Sequence, residues 1–288
     1  GKTYATSGNY NNHIGTPLNL ANLPLDAQFA VFEMGMNHAG EIAHLTKMVC
    51  PHIALITCVE AVHLEFFSSV EDIASAKAEI FAGLNDDGVA IINADQPYFS
   101  DIKHKKITFG TNAKSDCRLL SYKTTFSGCE VLSDICSTKL NYSLSATGKH
   151  LAIISLSVLA VCAALDLDIK QSAAALAQFT EIGGRGRVER IGNILLIDDS
   201  YNASPVSVKA ACAKTNEVWQ ASGTKGRKIA ILGDMLELGK TSAIIHSELS
   251  DSLLEQGFDK VYTAGNLMRH LYNALPLDLQ AGHADNSC

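Results

Sequence analysis

The stretch Ile194-Leu195-Leu196-Ile197-Asp198-Asp199-Ser200-Tyr201-Asn202-Ala203-Ser204-Pro205 contains a short apolar run, a polar turn and the start of a helix. The apolar run has the length and composition of a buried strand. Ser204 suits an N-cap and Pro205 the first helical turn, so strand passes to helix through a few polar residues. The same grammar recurs along the chain. Residues 29–33, 53–57, 89–93, 194–198, 228–232 and 260–263 predict strands. Residues 40–49, 70–84, 149–165, 169–179, 205–219 and 242–256 predict helices. This alternation predicts an α/β fold with a mostly parallel central sheet flanked by helices. Residues 106–145 differ, being rich in Ser, Thr, Cys and Gly with no helical stripe, and read as a small antiparallel β excursion. The helices after it are expected to return to the first sheet. The run Gly183-Gly184-Arg185-Gly186-Arg187 reads as a hinge, dividing the chain into residues 1–183 and 184–288.

The bulk numbers suit two globular lobes. The chain has 288 residues, of which 47% are hydrophobic and 18% charged. A net charge of −7 argues against a nucleic-acid binder. The eight cysteines contain no C-x-x-C pair, and several lie in apolar stretches. They read as reduced thiols of a cytoplasmic protein rather than a zinc site. No signal peptide is visible, no apolar run is long enough to span a membrane, and residues 151–167 read as a buried helix. Both ends read as cut, so both lobes are expected to be truncated.

Ligands in open α/β sheets bind beyond the carboxyl ends of the strands. Predicted strands lead to Glu33, to His63 and Glu65, to Asn93 and Asp95, to Asp198 and Asp199, and to Asp234. These endings suggest two facing sites, although loop solvation alone produces polar strand ends. Glu33 and His63 form a candidate Mg²⁺ pair, with phosphate and water completing the octahedron; a hydrogen-bonded loop histidine is the plainer reading of His63 alone. Lys77 falls on the apolar stripe of Val70, Ile73, Ala74, Ile80 and Phe81, where a lysine must snorkel, pair or be chemically altered. The helix start after Asp199 suits an anion or is simply capped. Gly1-Lys2-Thr3 resembles the tail of a phosphate loop but is followed by an extended stretch and not a helix, and Gly239-Lys240-Thr241 has Asp234 where the motif needs glycine, so neither is read as one.

Six segments in order carry a family likeness. They are Asn9-Tyr10-Asn11-Asn12-His13-Ile14-Gly15-Thr16-Pro17, Phe32-Glu33-Met34-Gly35-Met36-Asn37-His38, Ala76-Lys77-Ala78-Glu79-Ile80-Phe81, Asn93-Ala94-Asp95-Gln96-Pro97, Asp198-Asp199-Ser200-Tyr201-Asn202-Ala203-Ser204-Pro205 and Gly233-Asp234-Met235-Leu236-Glu237-Leu238-Gly239. Together they resemble the Mur ligase family, in its branch that joins D-alanyl-D-alanine to a UDP-N-acetylmuramoyl-tripeptide. The resemblance implies a central ATPase domain followed by a Rossmann-like C-terminal domain. It implies a cytoplasmic, monomeric ligase that uses ATP and Mg²⁺ in cell-wall peptidoglycan synthesis, with no nucleic-acid partner and no membrane insertion. Glu33, His63 and a carbamylated Lys77 would hold metal, with His63, Lys77 and Arg187 at the chemistry. Asn93, Asp95, His150, Arg187, Asp199 and Asn202 would face the nucleotide. Asn11, Asn12, Asp234 and Glu237 would face the other substrates. The segment Gly148-Lys149-His150-Leu151-Ala152-Ile153-Ile154 keeps the family's histidine, but both family asparagines are apolar here. The family's phosphate loop is expected upstream of Gly1, which leaves this stretch of chain inactive alone. Two other readings are a Mur-type amide ligase for a different substrate and a non-catalytic nucleotide-binding relative.

Overall fold

The computed structural model describes every residue except Ser7, Val62, His63, Thr224, Ser287 and Cys288. The elements are β1 (Thr3–Ala5), α1 (Gly15–Ala21), β2 (Phe29–Val31), α2 (Glu41–Val49), β3 (Ile53–Ile56), α3 (Val70–Ala78), β4 (Val89–Asn93), β5 (Lys105–Gly110), β6 (Cys117–Thr125), β7 (Gly128–Ile135), β8 (Thr138–Leu144), α4 (Lys149–Ala164) and α5 (Ile169–Ala175). They continue as β9 (Arg187–Ile191), β10 (Ile194–Asp198), α6 (Pro205–Ser222), β11 (Ile229–Gly233), α7 (Ser242–Glu255), β12 (Lys260–Ala264), α8 (Met268–Ala274) and β13 (Gln280–Ala284).

The expected α/β fold with a mostly parallel sheet is present. β3, β4 and β5 pair in parallel, and β6 joins them at Phe109 and Gly110. β6, β7 and β8 then form an antiparallel meander. The antiparallel excursion is therefore an edge-to-edge extension of the parallel sheet, and β5, although nearly all within residues 106–145, belongs to the parallel set. β1 and β2 form a separate parallel pair.

β4 shows why the sheet sits at the centre. Its residues alternate between two cores: Ala90 and Ile92 pack with Ile73 and Phe81 on one face, and Val89 and Ile91 with Leu156 and Leu159 of α4 on the other. A strand covered on both faces needs an unbroken apolar run, as Val89-Ala90-Ile91-Ile92 provides. Burying Ile91 and Ile92 contributes roughly 1.5–3 kcal/mol each. The return of α4 to this sheet matches the expectation.

The expected helix over 70–84 is α3, capped by Ser69, followed by a 3-10 turn over Glu79–Gly83. The change comes from α2. Thr46 donates its hydroxyl to the Ile80 carbonyl at 2.9 Å. A Cβ on Gly83 would lie 2.3 Å from Thr46 Oγ1, so glycine permits this close approach. The helix expected over 169–179 similarly ends as a 3-10 turn at Leu176–Gln178.

In the C-terminal part, β9 and β10 form a hairpin and β11, β12 and β13 a parallel sheet. Leu249 and Leu253 of α7 pack with Val261, Met268 and Leu271. α6 faces two ways. Val208 and Cys212 join this core, while Glu217 accepts hydrogen bonds from Tyr122 Oη (2.7 Å) and Thr124 Oγ1 (2.5 Å) of β6. No helix among the described residues is long and apolar enough to cross a membrane.

Candidate active-site cleft

β2 and β3 each pair on one side only among the described residues. Both line a cleft of about 1360 Å³. Glu33 lies just beyond β2, Thr57 and Cys58 just beyond β3, and Lys77 on α3; all four line this cleft. Arg185 reaches it from the segment before β9. The cleft runs along the whole of β2 and β3, and Glu33, Thr57 and Cys58 sit at its carboxyl-end side, the usual ligand position in open α/β sheets.

Glu33 is exposed. Its Oε1 accepts from Asn11 Nδ2 at 2.8 Å, which brings the Asn-rich loop against the strand end. Gly35 makes the contact possible: its N–H donates to the Asn11 carbonyl, and a Cβ there would meet the Asn11 side chain at 3.0 Å.

Lys77 is half-buried while Ile73, Ala74, Ala76 and Phe81 around it are buried. It has no hydrogen-bond or ion-pair partner among the described residues, and it lines the cleft, as a lysine whose stem crosses an apolar stripe can. Burial raises the pKa of Cys58 and of Glu60, and the Lys77 charge pulls both back. Lys77 is therefore within electrostatic reach of both groups. His63 lies outside the described residues.

No three His, Cys, Asp or Glu side chains come together as a metal cage among the described residues. The donors present still fit a hard cation. Among the described residues no side chain bonds Glu33 Oε2, and Mg²⁺ is commonly held by one or two carboxylates with phosphate and water. An unmodified Lys77 would repel such an ion, whereas a carbamate on its amine would supply oxygen ligands.

The remaining expected residues divide by what their side chains already do. Asn12 Oδ1 accepts the N–H groups of Ile14 and Gly15 and shapes the entry to α1. Asn93 Nδ2 donates to the Thr57 carbonyl, and its Oδ1 accepts from the Asp95 N–H. Asp95 accepts from the N–H groups of Thr111 and Asn112. Asp234 accepts from Leu267 and Met268 at the start of α8. These oxygens are committed to backbone, so the four residues set loop shape. Glu237 has a left-handed φ of 62°, and its carbonyl accepts from the Glu65 N–H at 3.2 Å, joining the two halves of the chain.

His150, Asp199 and Asn202 lie near the joint between the halves. Burial and the nearby Lys214 charge lower the His150 pKa. Asp199 still reaches water, yet the protein packed around it raises its carboxyl pKa, with Lys214 opposing. Asn202 Oδ1 accepts from the Ala203 N–H. Arg187, expected at the nucleotide, pairs with Glu189 and lines a separate pocket with Phe126 and Thr147. Sequence reasoning missed Arg185, whose guanidinium stacks on Tyr201 at 4.4 Å while lining the main cleft. Its flanking glycines, Gly184 and Gly186, carry the signal: both have positive φ, a conformation that turns the chain sharply on each side of it.

Residues 1–162 match the Mur ligase middle domain, and residues 186–285 match the Mur ligase, glutamate ligase domain. A UDP-N-acetylmuramoyl-tripeptide–D-alanyl-D-alanine ligase of Rickettsia prowazekii is 37% identical over 281 residues, covering 95% of this chain and 62% of the relative. The crystal structure of MurF from Acinetobacter baumannii matches with a TM-score of 0.89 at 27% identity, covering 98% of this chain and 61% of that one. MurF from Thermotoga maritima in complex with ADP matches with a TM-score of 0.84 at 26% identity, covering 99% and 65%. The chain spans less than two thirds of each of these relatives.

Proposed function

The chain belongs to the Mur ligase family, and from that membership we propose that the whole protein joins D-alanyl-D-alanine to a UDP-N-acetylmuramoyl-tripeptide at the expense of ATP. The observation that carries this reading is the convergence of Glu33, Lys77 and Arg185 on one cleft, with Asn11 bonded to Glu33. The activity for which the Rickettsia prowazekii relative is named supports the choice of substrates, and the ADP complex of the Thermotoga maritima relative supports ATP use.

In the proposed reaction, the free carboxylate of the tripeptide attacks the γ-phosphorus of ATP, forming an acyl phosphate and ADP. The amine of D-alanyl-D-alanine then attacks the acyl carbon, loses a proton and expels phosphate. The barrier in such a transfer is lowered mainly by positioning and charge stabilisation. Arg185 supplies a fixed positive charge from the C-terminal side. Glu33, with carbamylated Lys77 and His63, would hold Mg²⁺, which when bound neutralises phosphate charge. Asn11 fixes the direction of the Glu33 carboxylate. Asp199, Asn202 and His150 lie on the nucleotide side, Asn93 and Asp95 shape its floor, and the loops of Asn12, Asp234 and Glu237 face the other substrates. Bending at Gly183–Gly186 would close the two parts over the ligands and expel water, which protects the acyl phosphate from hydrolysis. The proposed enzyme is cytoplasmic and acts as a monomer.

The test is phosphate release by the whole protein. Release only when ATP, UDP-muramoyl-tripeptide and D-alanyl-D-alanine are all present supports the reading. A strict requirement for another acceptor amine points to a different amide ligase of the same family. No release with any acceptor points to a non-catalytic relative.

A further inference from the structure

Lys214 lies mid-helix on α6, and its side chain is only 1% exposed. A lysine so deeply buried is unfavourable unless its charge is paired and its donors are used. Its Nζ donates to Glu181 Oε1 at 2.8 Å and to the Gly186 carbonyl. The same Glu181 oxygen accepts from the Thr147 N–H at 3.2 Å. Gly186 has φ 81°, and a Cβ on it would lie 2.8 Å from Nζ, so the ammonium sits directly beneath that peptide. One buried cation therefore joins the exit of β8, the segment from Glu181 to Gly186, and α6.

The clasped segment contains Arg185, the one residue of that stretch that lines the main cleft. Glu181 and Gly186 are fastened on either side of it. Asp198 completes the frame: its Oδ2 accepts from the Gly184 N–H at 3.0 Å, and its carbonyl accepts from the Gly186 N–H at 2.8 Å. A buried ion pair is a poor source of stability compared with apolar residues of the same size, so geometry is the better reason for its presence.

We propose that Lys214 is a positioning residue: by clasping Glu181 and Gly186 it holds Arg185 aimed into the cleft, and so pre-forms the nucleotide site. The inference rests on the reading that this cleft takes ATP. Without the clasp, the Arg185 segment samples other conformations, and apparent affinity falls by the fraction that remains competent. Saturating nucleotide restores the competent state, so turnover at saturation changes little.

The experiment uses the whole protein carrying Lys214→Met with Glu181→Gln, which removes both buried charges together. ADP binding by calorimetry, ATP kinetics and thermal melting are measured. The expected result is a cooperative melt, with the ADP Kd and the ATP KM both weakened roughly tenfold and kcat within about twofold. In an Arg185→Ala background the pair change is expected to add no further loss, because Lys214 acts through Arg185. Glu181→Gln alone gives a second reading if the pair variant does not fold, with a smaller loss of ADP affinity in the same direction. A Kd equal to that of the parent in the folded variants overturns the proposal, as does a full loss that persists without Arg185. A parent that binds no ADP overturns the ATP reading on which the proposal stands.

Discussion

Asn11 Nδ2 donates to Glu33 Oε1 at 2.8 Å, so a loop residue expected on the substrate side is tied to a carboxylate expected on the metal side. Among the described residues nothing else bonds the Glu33 carboxylate side chain. Asn11→Ala is expected to free the carboxylate to rotate. In the whole protein, turnover should fall roughly tenfold, with the Mg²⁺ requirement shifted to higher concentration. The melting temperature should stay within about 2 °C because the bond is near the surface. A magnesium titration of parent and variant checks this.

Arg185 and Arg187 are separated by one residue, yet line different pockets. Arg185→Ala is expected to raise the ATP KM by roughly tenfold or more, as loss of about 1.4 kcal/mol or more of charge-assisted binding would. Arg187→Ala removes an exposed pair with Glu189 and is expected to leave the KM nearly unchanged. Steady-state kinetics on the two variants side by side check the assignment.

Gly83 is held against Thr46, with space for a Cβ closed by both Oγ1 and the carbonyl of that residue. Gly83→Ala forces α2 and the 3-10 turn apart and is expected to cost about 1–3 kcal/mol. Denaturant unfolding of parent and variant measures it.

Much of this arrangement was legible in the sequence. The unbroken apolar run of β4 announced a strand covered on both faces, and Lys77 on an apolar stripe announced a side chain that must leave the core. β13 was not legible, because Gln280-Ala281-Gly282-His283-Ala284 has no β-branched residue and gains its place only by parallel pairing with β12. The different placement of Arg185 and Arg187 was hidden for a related reason. Strand pairing puts Arg187 opposite Asp198 within β9, and the glycine geometry releases Arg185 toward the cleft. The duties of Asn12, Asp95 and Asp234 were also hidden, since the N–H groups they accept from belong to turns and a helix start that spacing does not reveal.

Burial and the Lys214 charge hold the His150 pKa below its ordinary value of 6.5. The unfolded chain therefore takes up a proton at this site more readily than the folded one. The neutral ring contributes its stability above about pH 6.5, and that contribution is lost as pH falls from there through the folded pKa. His150→Gln is expected to lessen the drop in melting temperature between pH 7 and pH 5. Parallel melts of parent and variant across that window check the sign.

The cleft has its proposed chemistry only if the amine of Lys77 becomes an anion beside Glu33. The most direct measurement is turnover of the whole protein carrying Lys77→Ala, with and without added short carboxylates such as formate or acetate. The expected result is loss of nearly all activity, with partial recovery as the carboxylate supplies oxygen ligands in place of the missing carbamate. Parent-level turnover in that variant without any additive would contradict it.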